Sequence, residues 1–257
     1  MPLPRRHFLA LSAAALALPA RASAAPVIAA AASLRFALPV LTGAFTARGG
    51  GPLRVTYGSS GTLAQQMRNG APFALFLSAD ASYVQTLARA GTVTDEGTVY
   101  ARGRLALIAP KGGLAVDGAM DGLAAALETG AIRRFAIATP DHAPYGQRAR
   151  EALQHRGLWE ALQPHLVFGE NVAQAAQFAI SGNAQGGLVA ASLAAAPAVE
   201  AQAVSARVPE SWHSPLEQRM VLAPEAPATA RAFHDFLLSP PAQEIFAAHG
   251  FAAPEPA

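Results

Sequence analysis

The chain has no cysteine in its 257 residues, and charged residues make up only 14% of it. The lack of cysteine excludes a disulfide framework, a thiolate metal site and a cysteine nucleophile. Lysine occurs once, at Lys111, and three of the 19 basic residues lie in the first 24 positions. Since the chain has 17 acidic residues, the remainder is nearly neutral and has no basic cluster for nucleic acid, which we set aside as a partner.

The first 24 residues have the pattern of an export signal rather than of a folded segment. Arg5 and Arg6 precede an apolar run at residues 9–20, and Ala-Ser-Ala at 22–24 is a small-residue cleavage pattern. The run is too short to span a bilayer, which takes about 20 apolar residues. The arginine pair resembles a twin-arginine signal, with a plain secretory signal as the alternative. Either signal predicts a periplasmic protein that is cleaved after Ala24.

Residues 25–257 alternate between strand and helix patterns, which is typical of an α/β fold with mostly parallel sheets flanked by helices. The length allows one large domain or two lobes of about 100 residues. Strands are predicted at 26–31, 53–57, 73–77, 105–109, 135–138, 166–168, 187–190, 205–208 and 220–223. Helices are predicted at 34–47, 62–69, 81–90, 146–156, 172–181, 227–238 and 242–249. Pro39 is expected to bend the first helix.

Two corners between a strand and a helix carry serine hydroxyls suited to an anion. Ser33 follows the first strand directly, and the sequence GSSGT at 58–62 follows the second. Free backbone N–H groups and the positive end of a helix dipole lie at such corners. Open α/β sheets bind ligands beyond the carboxyl ends of their strands, so both corners can face one crevice. An ordinary helix cap at each corner is the alternative interpretation.

Six segments, in order along the chain, resemble the molybdate-binding periplasmic components of ABC transporters. They are AAASL at 30–34, GSSGTL at 58–63, GAPFALFLSAD at 70–80, TPDHAPYG at 139–146, GENV at 169–172 and the ending at 233–251. The resemblance implies a two-lobe periplasmic binding protein fold with the ligand in the cleft between the lobes. It places one lobe at 25–107 plus 215–257 and the other at 108–214.

The resemblance also implies the ligand and its donors. Hydroxyl groups would come from Ser33 and Ser60 in the first lobe, and backbone N–H groups from Tyr145 and Val172 in the second. The protein would be a monomer without enzymatic activity, cofactor or resident metal. It would capture molybdate, and tungstate as well, and deliver it to the membrane permease of an ABC importer.

One position departs from the family pattern. The family commonly places a tyrosine hydroxyl on the anion from the strand at 187–190, where this chain has Ala190. Either Tyr145 supplies a replacement hydroxyl or the site has one donor fewer. The departure leaves sulfate or a small organic anion as an alternative ligand.

Other polar residues suggest less specific roles. Asp80 is expected to cap a helix, and residues 141–142 to form a structural or hinge loop. Five histidines lack the spacing of metal ligands and are expected to be surface or core residues: His155, His165, His213, His234 and His249. A serine hydrolase using Ser59 or Ser60 is a distant alternative, because GSSG is not a nucleophile elbow and no motif ties a histidine or aspartate to it.

Overall fold

The computed structural model describes residues 24–254, so the expected export signal lies outside the described residues except for Ala24. Strands are numbered along the chain: β1 (Val27–Ala31), β2 (Arg54–Gly58), β3 (Phe73–Ser78), β4 (Thr98–Gly103), β5 (Leu105–Pro110), β6 (Phe135–Ala138), β7 (Leu166–Gly169), β8 (Gly186–Ala190), β9 (Ala203–Arg207) and β10 (Leu216–Leu222). Helices are α1 (Ala37–Ala47), α2 (Ser60–Arg68), α3 (Ala81–Arg89), α4 (Asp121–Glu128), α5 (Pro144–His155), α6 (Trp159–Leu162), α7 (Val172–Ile180), α8 (Ala191–Ala194), α9 (Pro197–Glu200), α10 (Ala228–Leu237) and α11 (Pro240–Ala248). Short 3-10 segments lie at Ala32–Leu34, Gln163–His165 and Glu210–Trp212.

The strands form two five-stranded sheets, each the centre of one lobe, which confirms the predicted two-lobe α/β fold. The first sheet has the order β2-β1-β3-β10-β4, and the second has the order β7-β6-β8-β5-β9. In the first, β1 pairs in parallel with β2 and β3, while β10 is antiparallel to β3 and β4. In the second, β6 is parallel to β7 and β8, while β5 is antiparallel to β8 and β9. Each sheet therefore has three parallel strands with an antiparallel pair at one side.

The chain passes between the sheets at two places. Arg104 separates β4 of the first sheet from β5 of the second, and residues 208–215 return the chain from β9 to β10. Glu210 in the return segment binds both Arg102 and Arg104, with each N–O distance at 2.9 Å. These ion pairs hold the two crossing segments side by side. The lobe boundaries at 107/108 and 214/215 stay a prediction.

Each lobe buries its own apolar core. Phe233, Phe246 and Tyr100 lie in the core of the first lobe, and Phe135 and Leu153 lie in the core of the second, all fully or almost fully buried. No helix within residues 24–254 is long and apolar enough to cross a membrane.

The structure differs from the prediction in the first helix. Residues 34–47 are not one helix bent by Pro39, because a 3-10 segment ends at Leu34 and α1 begins only at Ala37. Pro39 thus lies in the first turn of α1, where backbone N–H groups have no intrahelical acceptor and a missing N–H costs nothing. The break gives Ser33 a short turn of its own beyond β1.

The sequence pattern also missed two strand segments that later prove relevant to the site. β4 was not predicted, and β10 begins at Leu216 rather than at residue 220. In β10, buried and partly exposed residues alternate from Leu216 to Met220, so a search for continuous apolar runs starts the strand too late.

Candidate anion site between the two lobes

Two serine hydroxyls of the first lobe lie at the carboxyl ends of neighbouring parallel strands. Ser33 lies in the 3-10 turn after β1, and Ser60 is the first residue of α2 after β2; each is 1% exposed. Ser60 Oγ accepts a hydrogen bond of 2.9 Å from the backbone N–H of Ala79. Ser33 Oγ is buried and makes no hydrogen bond of standard geometry. Neither serine is a helix cap, since the cap of α2 is Ser59, whose Oγ accepts from a backbone N–H.

Two helix N-termini of the second lobe face the same place. α5 begins with Pro144 at its first position and Tyr145 at its second, and α7 begins with Val172. Amide N–H groups in the first turn of a helix have no intrahelical acceptor. Asn171 caps α7 by accepting from the N–H groups of the second and third helical residues, and the N–H group of Val172 is not one of them. These termini offer backbone donors together with the positive end of each helix dipole.

The four residues predicted from the sequence line one small pocket. The residues around it share small or apolar side chains and hydroxyl groups: Ala31, Ala32, Ser33, Gly58, Ser59, Ser60, Ala79, Ala143, Pro144, Tyr145 and Val172. Within residues 24–254, no charged side chain contributes to this lining. Such a pocket suits an anion without a proton, because many local dipoles stabilise its charge and no counter-ion has to be desolvated.

The Tyr145 hydroxyl lies behind Ser33 in a buried polar network. Gln218 Nε2 of β10 donates a hydrogen bond of 3.3 Å to the Tyr145 oxygen. Burial raises the pKa of Tyr145, and the neighbouring Ser33 and Gln218 partly offset that effect. The Ser33–Tyr145 contact is a close approach of two hydroxyls rather than a hydrogen bond of standard geometry. Tyr145 therefore stays neutral, with its proton available to a neighbour.

Ala190 does not take part in the pocket. It is the last residue of β8 and is fully buried, but it is not among the pocket-lining residues. The next helix contributes Ser192, whose hydroxyl donates to the backbone oxygen of Ser33 across the lobes at 2.8 Å. Ser192 thus supports the backbone of the Ser33 turn from the second lobe.

His142 joins the lobes at the rim of the pocket. Its backbone oxygen accepts from Gly61 N–H at 2.9 Å, and its Nδ1 lies 2.9 Å from Ser59 Oγ. A Cβ atom at Gly61 would lie only 2.7 Å from that backbone oxygen. Glycine is therefore needed here for the close approach of the two lobes.

A buried ion pair forms a second link between the lobes. Asp80 of the first lobe pairs with Arg148 of α5, and both side chains are about nine-tenths buried. As predicted, Asp80 also caps α3, accepting from Ser82 N–H at 2.8 Å. Arg148 further contacts Glu151 at 2.8 Å. Burial alone would raise the pKa of Glu151, but the backbone N–H of Ser214 at 2.6 Å and the Arg148 guanidinium hold it below its usual value.

The serine corner does not have the arrangement of a hydrolase. His142 Nδ1 approaches Ser59 rather than Ser60, and the Ser59 hydroxyl donates its proton to Thr62 Oγ1 at 2.7 Å. His142 therefore does not contact Ser60 as a general base would. Among the described residues, no group of three or more histidine, aspartate or glutamate side chains could hold a metal ion.

Comparisons with known proteins agree with this architecture. Residues 26–252 match the family model described as bacterial extracellular solute-binding protein. The chain belongs to this family. Like its relatives, this solute-binding protein is a transport component without enzymatic activity, so the hydrolase alternative was wrong.

Individual relatives of this solute-binding protein are named for the anions that they bind. The molybdate-binding protein ModA of Rhodobacter capsulatus is 37% identical over 210 residues, 80% of either chain. The solved structure of the Azotobacter vinelandii periplasmic molybdate-binding protein has a TM-score of 0.79 at 29% identity, covering 90% of this chain and 100% of that one. The sulfate-binding protein SubI of Mycobacterium tuberculosis has a TM-score of 0.73 at 17% identity, covering 90% and 88%, and shows the shared fold alone.

Sequence analysis missed the groups that support the site from behind or across the lobes. Gln218, Arg148 and the contact of His142 with Gly61 were not predicted. A signal for Gln218 exists, since it is the polar residue at an inward position of the alternating strand β10.

Proposed function

We propose that the protein captures molybdate in the pocket between its lobes and delivers it to the membrane permease of an ABC importer. The observation that carries this proposal is one pocket lined by hydroxyl groups of one lobe and helix N-termini of the other, without a charged side chain. The ligand-binding groups would be the hydroxyls of Ser33 and Ser60 and the backbone N–H groups of Tyr145 and Val172. The identity to molybdate-binding relatives supports the choice of ligand.

The chemistry of the donors disfavours phosphate and favours fully ionised anions. Molybdate, tungstate and sulfate accept hydrogen bonds only at neutral pH, whereas phosphate usually carries a proton that needs an acceptor. A cage of donors would leave that proton unpaired, and an unpaired buried donor costs about 1–3 kcal/mol. Discrimination between molybdate and sulfate then depends on size, because the metal–oxygen bonds of molybdate are longer.

Calorimetric titration of the mature protein tests the proposal. Molybdate and tungstate should bind tightly and with similar affinity, sulfate much more weakly, and phosphate not detectably. Saturable sulfate binding without a response to molybdate would replace molybdate by sulfate as the ligand. The absence of binding by all four anions would overturn the assignment of the pocket as an oxyanion site.

The remaining features of the proposal concern the mature form. We infer an exported periplasmic protein that is cleaved after Ala24 and acts as a monomer. The lobes would be joined near Arg104 and residues 208–215, because β5 pairs wholly within the second sheet. Intact mass of the periplasmic protein should correspond to residues 25–257. Light scattering should give the mass of one chain, and a dimer mass would contradict the monomer.

A further inference from the structure

A chain of buried polar groups runs from the anion pocket into the first lobe. It consists of Ser33, Tyr145, Gln218, Tyr100 and Ser78, each 0–1% exposed. Gln218 Nε2 donates to Tyr145 at 3.3 Å, and Gln218 Oε1 lies 3.2 Å from the Tyr100 hydroxyl, which also lies 3.3 Å from Ser78 O. Buried polar groups of this kind must be satisfied by one another, because water does not reach them.

The hydrogen bonds between these buried groups run in one direction. Both oxygens beside the Tyr100 hydroxyl accept, so Tyr100 donates its proton and the Gln218 amide presents Nε2 to Tyr145. Because Gln218 already donates to the Tyr145 oxygen, the proton of Tyr145 needs another acceptor. Its other polar neighbour is the Ser33 hydroxyl, which lines the same pocket. If Ser33 Oγ accepts that proton, its own proton points into the pocket.

The reversed amide orientation would work against an anion. Gln218 would then accept the proton of Tyr145, and Ser33 would donate its proton to the Tyr145 oxygen. Ser33 would face the pocket with lone pairs only, which a doubly negative ligand repels. An anion in the pocket therefore selects the orientation in which Gln218 donates to Tyr145.

We propose that Gln218 is a positioning residue of the anion site, which acts through Tyr145 to hold the Ser33 hydroxyl as a donor to the bound oxyanion. The proposal rests on the function proposed above. It also gives Tyr145 a role beyond its backbone N–H group: its hydroxyl transmits the orientation from Gln218 to Ser33. In this way the Tyr145 hydroxyl would contribute to the site, although this protein has alanine at position 190, where the family commonly has a tyrosine.

Gly103 at the end of β4 makes room for this network. A Cβ atom there would lie 2.3 Å from the Tyr145 hydroxyl and 2.6 Å from Gln218 Nε2. Neither atom can stay in place beside a Cβ at those distances. The two groups of the network meet over this glycine because it has no side chain.

A double-mutant cycle separates a positioning role from a structural one. Gln218→Met keeps the approximate shape of the side chain and removes the amide. We expect it to raise the Kd for molybdate about threefold to tenfold in the otherwise unchanged protein. In a Ser33→Ala background, where no hydroxyl remains to be oriented, the same substitution should leave Kd unchanged.

Gln243→Met is the matched control. Gln243 also lies in the first lobe, and its amide donates to Tyr100 O and Leu237 O, away from the pocket. The Gln243→Met variant should have a lower melting temperature and an unchanged Kd for molybdate. If Gln218→Met fails to fold, Gly103→Ala takes its place, since its Cβ displaces the same two groups and its effect should likewise vanish in the Ser33→Ala background.

The outcomes distinguish this proposal from the proposed function. Failure of the unmutated protein to bind molybdate would overturn both. If the unmutated protein binds and Gln218→Met raises Kd by the same factor with and without the Ser33 hydroxyl, only the positioning role is overturned. An unchanged Kd for Gln218→Met in the otherwise unmutated protein would overturn it as well.

Discussion

Removal of the Ser33 hydroxyl and removal of the Ser60 hydroxyl should weaken binding alike, but only the second should lower the stability of the ligand-free protein. Ser33 Oγ makes no standard hydrogen bond within the protein, whereas Ser60 Oγ accepts from the buried N–H of Ala79. Ser33→Ala therefore removes a hydroxyl without a standard hydrogen bond, and in the ligand-free protein the Gln218 amide can turn to accept the Tyr145 proton in its place. Ser60→Ala removes a ligand donor and also leaves a buried backbone N–H unsatisfied.

The magnitudes follow from these contacts. A hydrogen bond to a charged group contributes about 1.5–3 kcal/mol, so each variant should lose about one to two decades of molybdate affinity. The orphaned N–H of Ala79 should cost Ser60→Ala about 1–3 kcal/mol of unfolding free energy. For a chain of this size, each kcal/mol lowers the melting temperature by about 2–4 °C. Ser60→Ala should thus melt several degrees lower without ligand, and Ser33→Ala should melt as the unmutated protein does.

Titration calorimetry and scanning calorimetry of the ligand-free proteins measure the two effects. Ser205→Ala, which changes an exposed serine of β9, is the control and should change neither quantity. Normal binding by both pocket variants would refute the site. A melting temperature that falls equally in Ser33→Ala and Ser60→Ala would refute the reasoning from the Ala79 contact.

Three further predictions concern the contacts between the lobes. Gly61→Ala should weaken molybdate binding and increase the radius of gyration of the liganded protein in X-ray scattering, because its Cβ collides with the His142 oxygen. Asp80→Asn should lower the melting temperature, since it leaves the buried guanidinium of Arg148 with one carboxylate partner in place of two; an unchanged melting temperature would contradict that role. The lowered pKa of Glu151 means that its stabilising contribution is complete above its ordinary pKa of about 4.3 and is lost as pH falls through the lowered value. The stability of Glu151→Gln, measured by circular dichroism during acid unfolding, should therefore depend less on pH in that range than the stability of the unmutated protein. An equal dependence in the two proteins would show that Glu151 has no such role.

The positions of Ser33 and Ser60 were accessible from the sequence because each lies just beyond the end of a strand. Ser33 and Ser60 come after neighbouring parallel strands of one sheet, and Val172 comes after β7 of the other. Parallel strands present their carboxyl ends at one edge, so short strand-to-helix connections bring such residues to one place. The resemblance to a known family added Tyr145, Val172 and the pairing of the two lobes. Local pattern and family motif together therefore predicted four of the residues that line the pocket.

The supporting residues were not predictable in the same way, because their partners are distant in the sequence. Gln218 meets Tyr145 only after β10 has paired with β4 on one side and β3 on the other. Arg148 meets Asp80 only when two separately folded lobes face each other. Neither contact leaves a periodic pattern, and a side chain that points inward from a strand does not reveal which lobe it serves.

The placement of charge in the proposed site would allow one cleft to hold a dianion and still release it. Ion pairs between the lobes occur at Asp80–Arg148, outside the pocket lining, and the pocket itself presents hydroxyl and N–H dipoles from both lobes. In the proposed site half of the donors belong to each lobe, so ligand binding would favour the closed arrangement of the lobes. Separation of the lobes removes half of the donors at once, and no cationic side chain remains beside the anion to retain it. A substitution that brought a basic side chain into the pocket would therefore slow release more than it would speed capture.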